Sequence, residues 1–195
     1  GKADLGIVDN YSRFSDKVNS IMPLYPQVLH ILYKEELQPK SFRDLVLNRK
    51  IFAGLEGSGT FRFVELLLHD LGISKDRCQF VDFYDYFGAD VIFAFTDLLT
   101  YEELRDLQGY KLFSIDTIEN LGKGSLAESI CTRHPQFEPY IIPRDLYGKF
   151  NDIAILTVKV EALLVCRTDL DSKLVYKIIQ TLSENSQTLK DINPL

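Results

Sequence analysis

An α/β protein of two lobes, one of them built from both ends of the chain, is what the sequence predicts. Three observations lead there. Short apolar runs alternate with stretches of helical periodicity, the pattern of helices laid on a sheet. The opening strand, residues 5–8, meets no apolar partner until residues 153–158 and 162–165. A glycine-rich segment, Gly54-x-x-Gly57-Ser58-Gly59-Thr60, stands between a strand and a helix.

The elements follow in order. Residues 5–8 form a short strand closed by Asp9-Asn10. Pro23 and Pro26 bracket Leu24-Tyr25 and predict an extended connection. A second strand covers 28–33, Ser41 caps a short helix reaching Val46, and a third strand covers 50–54. A loop over 55–60 leads into an amphipathic helix over 61–71, closed by Gly72. Strands are expected at 79–83 and 91–95, a helix at 100–107 with Glu102 and Glu103 in its first turn, and a strand at 111–115. A short helix covers 125–131. The late strands 153–158 and 162–165 precede a helix over 172–183, whose apolar side holds Leu174, Val175, Ile178, Ile179 and Leu182. Pairing of the first strand with the late ones divides the chain into a discontinuous lobe, 1–26 plus 152–195, and an inserted lobe, 27–151. The two crossings would form a hinge.

Bulk composition narrows the function. The 195 residues are 46% hydrophobic, enough to fill a core. A net charge of −6 and a pI near 5.1 argue against nucleic acid, which needs a basic face. No apolar run approaches the roughly 18 residues of a membrane span. Gly1-Lys2-Ala3-Asp4 leads straight into Leu5-Gly6-Ile7-Val8 without a cationic leader. Either the protein is cytoplasmic or the chain begins inside a longer one. Cys78, Cys131 and Cys166 show no CxxC and no histidine at metal spacing, so no metal site is expected; at most one disulfide could form, and separate thiols are the expectation.

The chemistry concentrates in the Gly57–Thr60 loop. Glycines allow a tight turn, Ser58 or Thr60 can cap the helix, and the free N–H groups of the helix start attract an anion. Arg62 in the first turn can add charge. A phosphate loop would need the lysine of GxxxxGK[ST], which is missing. A carboxylate needs no lysine. A glycine turn with a capped helix and no ligand accounts for the same residues. Catalysis has little support: His30 sits in an apolar strand, His69 on an exposed helix face and His134 before Pro135. Glu102 and Glu103 read as helix-start charges. The stretch Phe83-Tyr84-Asp85-Tyr86-Phe87 reads as core and loop packing, with a pocket lining as the other outcome.

Taken in order, several segments resemble the TAXI family of solute receptors for TRAP-type transporters. They are Gly1-Lys2-Ala3-Asp4 with its strand, Leu24-Tyr25-Pro26, Ser41-Phe42-Arg43-Asp44-Leu45, Gly57-Ser58-Gly59-Thr60, residues 135–143 with Tyr147, and Leu163-Leu164-Val165 through Tyr176. The resemblance implies a type II periplasmic-binding-protein architecture: two α/β lobes, a hinge, and an organic acid clasped between them. It implies an incomplete first lobe, because the family's first strands would precede Gly1. It places a ligand carboxylate on Gly57, Ser58, Gly59 and Thr60, with Tyr25 near the cleft; Phe95 and Thr96 are expected as further ligand contacts. Asp97, where the family usually has a glycine-proline pair nearby, would repel a carboxylate unless it accepts an amine or turns away.

The expected function is a periplasmic or extracytoplasmic receptor, not an enzyme and without cofactor. It would bind a dicarboxylate or acidic amino acid and serve a TRAP-type permease. The alternative is a ligand-sensing domain of a membrane-attached signalling or regulatory protein. An enzyme acting on a phosphorylated substrate would need a catalytic base beside Ser58. Unpaired sheet edges in the first lobe predict a homodimer.

Overall fold

The computed structural model describes residues 3–12 and 15–188. Gly1 and Lys2 of the first quoted segment, and the tail 189–195, lie outside them. In chain order the elements are β1 (Leu5–Asp9), β2 (Val18–Lys34), α1 (Phe42–Val46), β3 (Lys50–Phe52), α2 (Gly59–Asp70), β4 (Gln79–Phe80), β5 (Val91–Thr96), α3 (Tyr101–Asp106), β6 (Tyr110–Leu112), α4 (Leu126–Arg133), β7 (Glu138–Ile142), β8 (Ile155–Arg167) and α5 (Ser172–Glu184). The chain is mixed α/β with a sheet. It divides into two compact units, Val28–Lys159 and Gly1–Gln27 with Val160–Leu195.

In the larger unit β5 is the central rail. Val91, Ile92 and Phe93 are all buried, as in a strand covered on both faces. β5 pairs antiparallel with β2, from Val28 opposite Thr96 to Tyr33 opposite Val91. On its other side it pairs parallel with β3, and β4 follows in parallel. β6 runs antiparallel to the end of β2. Beyond β6 the bonding continues, with Phe113 N–H donating to Ile31 O (2.8 Å) and Ile115 N–H to Leu156 O (2.9 Å). β7 pairs antiparallel with the start of β8, Glu138 opposite Lys159 and Ile142 opposite Ile155.

α2 buries Phe61, Phe63, Val64, Leu67 and Leu68, one stripe at helical spacing. The Phe63 ring meets Phe95 edge-on at 5.1 Å and Phe137 at 5.0 Å. Gly72 closes the helix in the left-handed region, φ 62°, as the sequence predicts.

In the smaller unit β1 pairs antiparallel with the end of β8, Leu5 opposite Cys166 through Asp9 opposite Ala162. α5 is capped by Asp171, whose side chain accepts from Lys173 N–H at 2.9 Å. None of its apolar residues is fully buried.

Three local expectations need correction, and one strand was not expected. The two late strands are one, β8, because the alternation continues across the gap between them, with Val160 and Ala162 buried and Lys159 and Glu161 half-buried. The proline-bracketed stretch lies inside the continuous β2, since proline's φ suits an extended chain. β7 escapes a sequence reading because Pro139 lies within it and Pro143 just after it. The strand expected over 79–83 stops at Phe80, where Asp82 caps a tight turn and accepts from Tyr84 N–H at 3.0 Å.

A buried polar chain pins the larger unit. His30 is fully buried on β2. Its Nδ1–H donates to Val28 O (3.0 Å), and its Nε2 accepts from the Tyr147 hydroxyl (2.9 Å). Tyr147 Oη in turn accepts from Leu99 N–H (3.4 Å). Asn151, also buried, takes Tyr147 N–H on its Oδ1 (2.9 Å) and donates to Pro143 O (2.6 Å). Every member has a partner, so the network specifies one arrangement.

Burial drives the His30 imidazole from its ordinary 6.5 down to about 4, against the Val28 carbonyl and the charges of Glu103 and Asp97. The unfolded chain therefore binds a proton that the folded one refuses between those two values. Stability is complete above 6.5 and falls as pH drops toward 4, by on the order of 3 kcal/mol. Urea unfolding of the His30→Gln variant should lose this slope across pH 4–6.5 while remaining less stable than the parent at pH 7.

Candidate functional site

The loop after β3 is shaped by two glycines. Gly54 has φ 78°, and a Cβ there would stand 2.8 Å from Ser58 Oγ, so only glycine fits. Gly57 has φ 82°. Ser58 N–H donates to Leu55 O at 2.9 Å and closes the turn.

Ser58 is the N-cap of α2. Its backbone is extended, and its Oγ accepts from Phe61 N–H at 3.3 Å. Its carbonyl accepts from Arg62 N–H at 3.1 Å. The helix begins two residues earlier than the sequence predicts, which places Gly59 and Thr60 in its first turn. Among the described residues nothing accepts from the N–H of Gly59 or Thr60. These are two of the donors that a helix start leaves open.

A comparison of helix starts sets this one apart. α1 has Asp44 in its first turn, α3 has Glu102 and Glu103, and α4 has Glu128. α5 is capped by Asp171. α2 has a neutral serine cap and no acid in its first turn. Among the described residues no carboxylate belongs to its first turn.

The α4 start shows what such a site does when it is filled from within. Gly122 N–H (3.0 Å), Gly124 N–H (3.2 Å) and Ser125 N–H (2.9 Å) all donate to the Glu128 carboxylate, and the Ser125 hydroxyl donates at 2.9 Å. The Ser125 donors, and after them the two glycine amides, hold Glu128 below the usual carboxylate range. Beside it, Asp116 accepts from Leu126 N–H at 2.8 Å and Asn120 Nδ2 at 2.8 Å. Burial alone would raise the Asp116 pKa; these donors, with Thr117 N–H, bring it down instead.

Thr60 joins α2 to β5, its Oγ1 accepting from Phe95 N–H at 3.4 Å. Ser58 and Thr60 thus each use an oxygen lone pair internally and keep an O–H to donate. The Phe95 ring is half-buried in a trio with Phe63 and Phe137, stacked on the latter at 6.1 Å. The Thr96 hydroxyl donates to Asp97 Oδ1 at 3.1 Å. Gly57, Ser58, Gly59, Thr60, Phe95 and Thr96 therefore all belong to the larger unit. Tyr25 is half-buried on β2 in the smaller one. Arg62 is exposed.

The remaining candidates are structural. Neither hydroxyl of the loop is bonded to an acid or base among the described residues. Asp70 at the end of α2 gathers His134 Nε2 (2.9 Å) and Arg133 (3.4 Å). Burial would raise the Asp70 pKa, but the His134 hydrogen bond and charge, with His69 and Arg133, hold it down. Glu103 closes a capping box with Thr100. Cys78 and Cys166 are buried and Cys131 is half-buried, all as free thiols. Packing of the 83–87 stretch is a second kind of correction: Phe83, Tyr84 and Phe87 are exposed at 65%, 93% and 72%.

Each unit also has an open groove away from the loop. One of about 430 Å³ in the smaller unit is lined by Asn19, Ile21, Arg167, Val175 and Ile179 among others, but its Arg167 guanidinium is already paired with Asp169 and Asp4. One of about 370 Å³ in the larger unit is lined by Tyr101, Leu104, Arg105, Leu146 and Phe150 among others.

Comparison with known proteins places these features in context. The model of the NMT1-like family matches residues 103–195, a little under half of the chain. No curated protein sequence matches. Among solved structures, protein AF1704 from Archaeoglobus fulgidus is similar with a TM-score of 0.50 at 11% identity, over 96% of this chain and 58% of that one. An amino acid ABC transporter substrate-binding protein, AbpA, from Streptococcus pneumoniae bound to L-arginine gives 0.46 at 16% identity, over 97% and 65%. An ancestral arginine-binding protein bound to arginine gives 0.45 at 14% identity, over 89% and 63%. The chain thus spans 58–65% of the length of these three structures. At these identities the likeness bears on the fold alone, and it does so only through the Archaeoglobus protein, the other two scores being below 0.5. No helix among the described residues is long and apolar enough to cross a membrane.

The cap geometry makes a direct prediction. Ser58→Ala removes the acceptor of Phe61 N–H and should cost about 1 kcal/mol in chemical denaturation. Ser58→Asp should restore that stability while placing a carboxylate over the helix start.

Proposed function

We propose that this chain is part of an extracytoplasmic solute receptor, a binding protein and not an enzyme, whose ligand is a small organic acid. The observation that carries the reading is the first turn of α2. It offers two open N–H donors and two hydroxyl donors, and it has no acid of its own. A ligand carboxylate meets Gly59 N–H and Thr60 N–H, with Ser58 and Thr60 hydroxyls donating from the sides. Gly57 lets the ligand approach the backbone closely.

Asp97 favours an acidic amino acid over a plain dicarboxylate. It is exposed, lies one residue beyond β5 and is held by Thr96. There it repels a second carboxylate but accepts an ammonium group. Phe95 presents the exposed part of its ring to the apolar portion of the ligand. In this reading the receptor serves a TRAP-type permease, in keeping with the resemblance of its loop to the TAXI family. The NMT1-like match over 103–195 and the arginine-bound proteins among the similar structures accord with a solute-binding role and do not bear on the transporter.

The decisive variant is Gly59→Pro. Proline is well suited to the first helical position, and Ser58 already has the extended backbone that a following proline requires. The variant removes one N–H donor and leaves the helix intact. Isothermal calorimetry with L-glutamate, L-aspartate and succinate should give binding to the parent, tightest for an amino acid, and a loss of about tenfold in Gly59→Pro. Absence of heat with all three acids, or undiminished affinity in the variant, contradicts the proposal.

A further inference from the structure

The turn between β4 and β5 is built to be seen. Phe83, Tyr84 and Phe87 are exposed at 65%, 93% and 72%. Three large rings on one short turn are an unusual load for a surface that no partner covers. The turn is also well held. Asp82 Oδ1 accepts from Tyr84 N–H (3.0 Å) and Asp85 N–H (3.3 Å), and Ala89 N–H donates to Tyr86 O (3.1 Å). The Tyr110 hydroxyl donates to Ala89 O at 2.6 Å. Behind the exposed rings Tyr86 packs edge-on against Phe52 at 4.9 Å and against Phe87 at 5.1 Å. The backbone that presents the rings is already ordered, so contact costs little backbone freedom, as at an interface anchor.

Charge decides what such a surface fits. Residues 79–90 contain Asp82, Asp85 and Asp90 and no lysine or arginine. Lys34 answers Asp90 at 3.2 Å. Among the described residues no cation pairs with Asp82 or Asp85. Burial first, and then the charges of Glu103 and Asp106, push the Tyr86 phenol up, so the negative field extends to α3. Arg105 offsets part of it, bonded to Asp106 at 3.2 Å.

We propose that the turn 82–88 is a docking surface for a partner polypeptide segment that presents arginine or lysine among apolar side chains. The cations lie over the faces of Phe83, Tyr84 and Phe87, where ring and carboxylate attract them together. The apolar side chains fill the space between the rings. A second copy of the chain would set Asp82 and Asp85 against their own counterparts. An anionic bilayer would meet the same carboxylates and a chain of net charge −6. This inference is independent of the ligand site on α2.

The test uses the full chain with uniform ¹⁵N labelling and a synthetic peptide of repeating Arg-Leu-Gly. Amide shifts should concentrate in residues 82–88. The variant carrying Phe83→Ser, Tyr84→Ser and Phe87→Ser should bind about tenfold or more weakly. All three side chains are exposed, so the fold should be kept, as an unchanged circular dichroism spectrum would confirm. Asp85→Asn should weaken binding and flatten its salt dependence. Several results overturn the proposal: equal binding by the triple variant, equal binding of a Gln-Leu-Gly peptide, shifts spread over the whole acidic surface, or no binding. So does tighter capture of the chain by phosphatidylcholine or phosphatidylglycerol vesicles than by the peptide, or self-association in sedimentation that the triple variant abolishes.

Discussion

The hydrogen-bond ladder of β5 is the constraint on which the rest depends. It couples antiparallel to β2 and parallel to β3, so a single strand fixes both the proline-containing strand before it and the glycine loop after β3. The strand's buried side chains set its depth, and the bond from Phe95 N–H to Thr60 Oγ1 ties the first turn of α2 to it. Moving β5 by one residue would exchange the side chains between its two covered faces and carry Phe95 and Thr96 away from the helix start. The site thus takes its position from a core strand and its local shape from the two glycines and the Ser58 cap.

The second organising feature is how the fold spends its carboxylates. Glu128 fills the glycine turn before α4, Asp116 takes the neighbouring amide of Leu126, Glu103 closes the box on Thr100, and Asp171 caps α5. Each neutralises donors that a helix start leaves open. α2 is treated differently: a neutral cap secures one amide and two further amides stay available. Energetically that is a small omission, because a first-turn acid is worth well under about 1 kcal/mol at an exposed helix end. It makes sense where a carboxylate is to come from outside.

Much of this was legible in the sequence, for reasons that differ from element to element. The glycine loop announced itself because Gly54 and Gly57 need positive φ and Ser58 has the right chemistry for a cap. α2 and α5 were legible from their apolar spacing. What stayed hidden was long-range. His30 and Tyr147 are 117 residues apart, and nothing in either local pattern links them. β7 was masked by Pro139, and the Glu128 turn read as an ordinary helix start until its three amide donors were in place. The aromatic stretch at 83–87 was misread because ring-rich sequence usually means core. Asp82, capping a tight turn, lifts those rings outward instead.

The Gly59 and Thr60 amides can be read directly by nuclear magnetic resonance. Titrating ¹⁵N-labelled chain with L-glutamate should shift the Gly59 and Thr60 amide protons downfield, together and in proportion to saturation, as N–H groups do on meeting a carboxylate. Shifts that leave both amides in place while others move, or none at all at saturating ligand, would contradict the account.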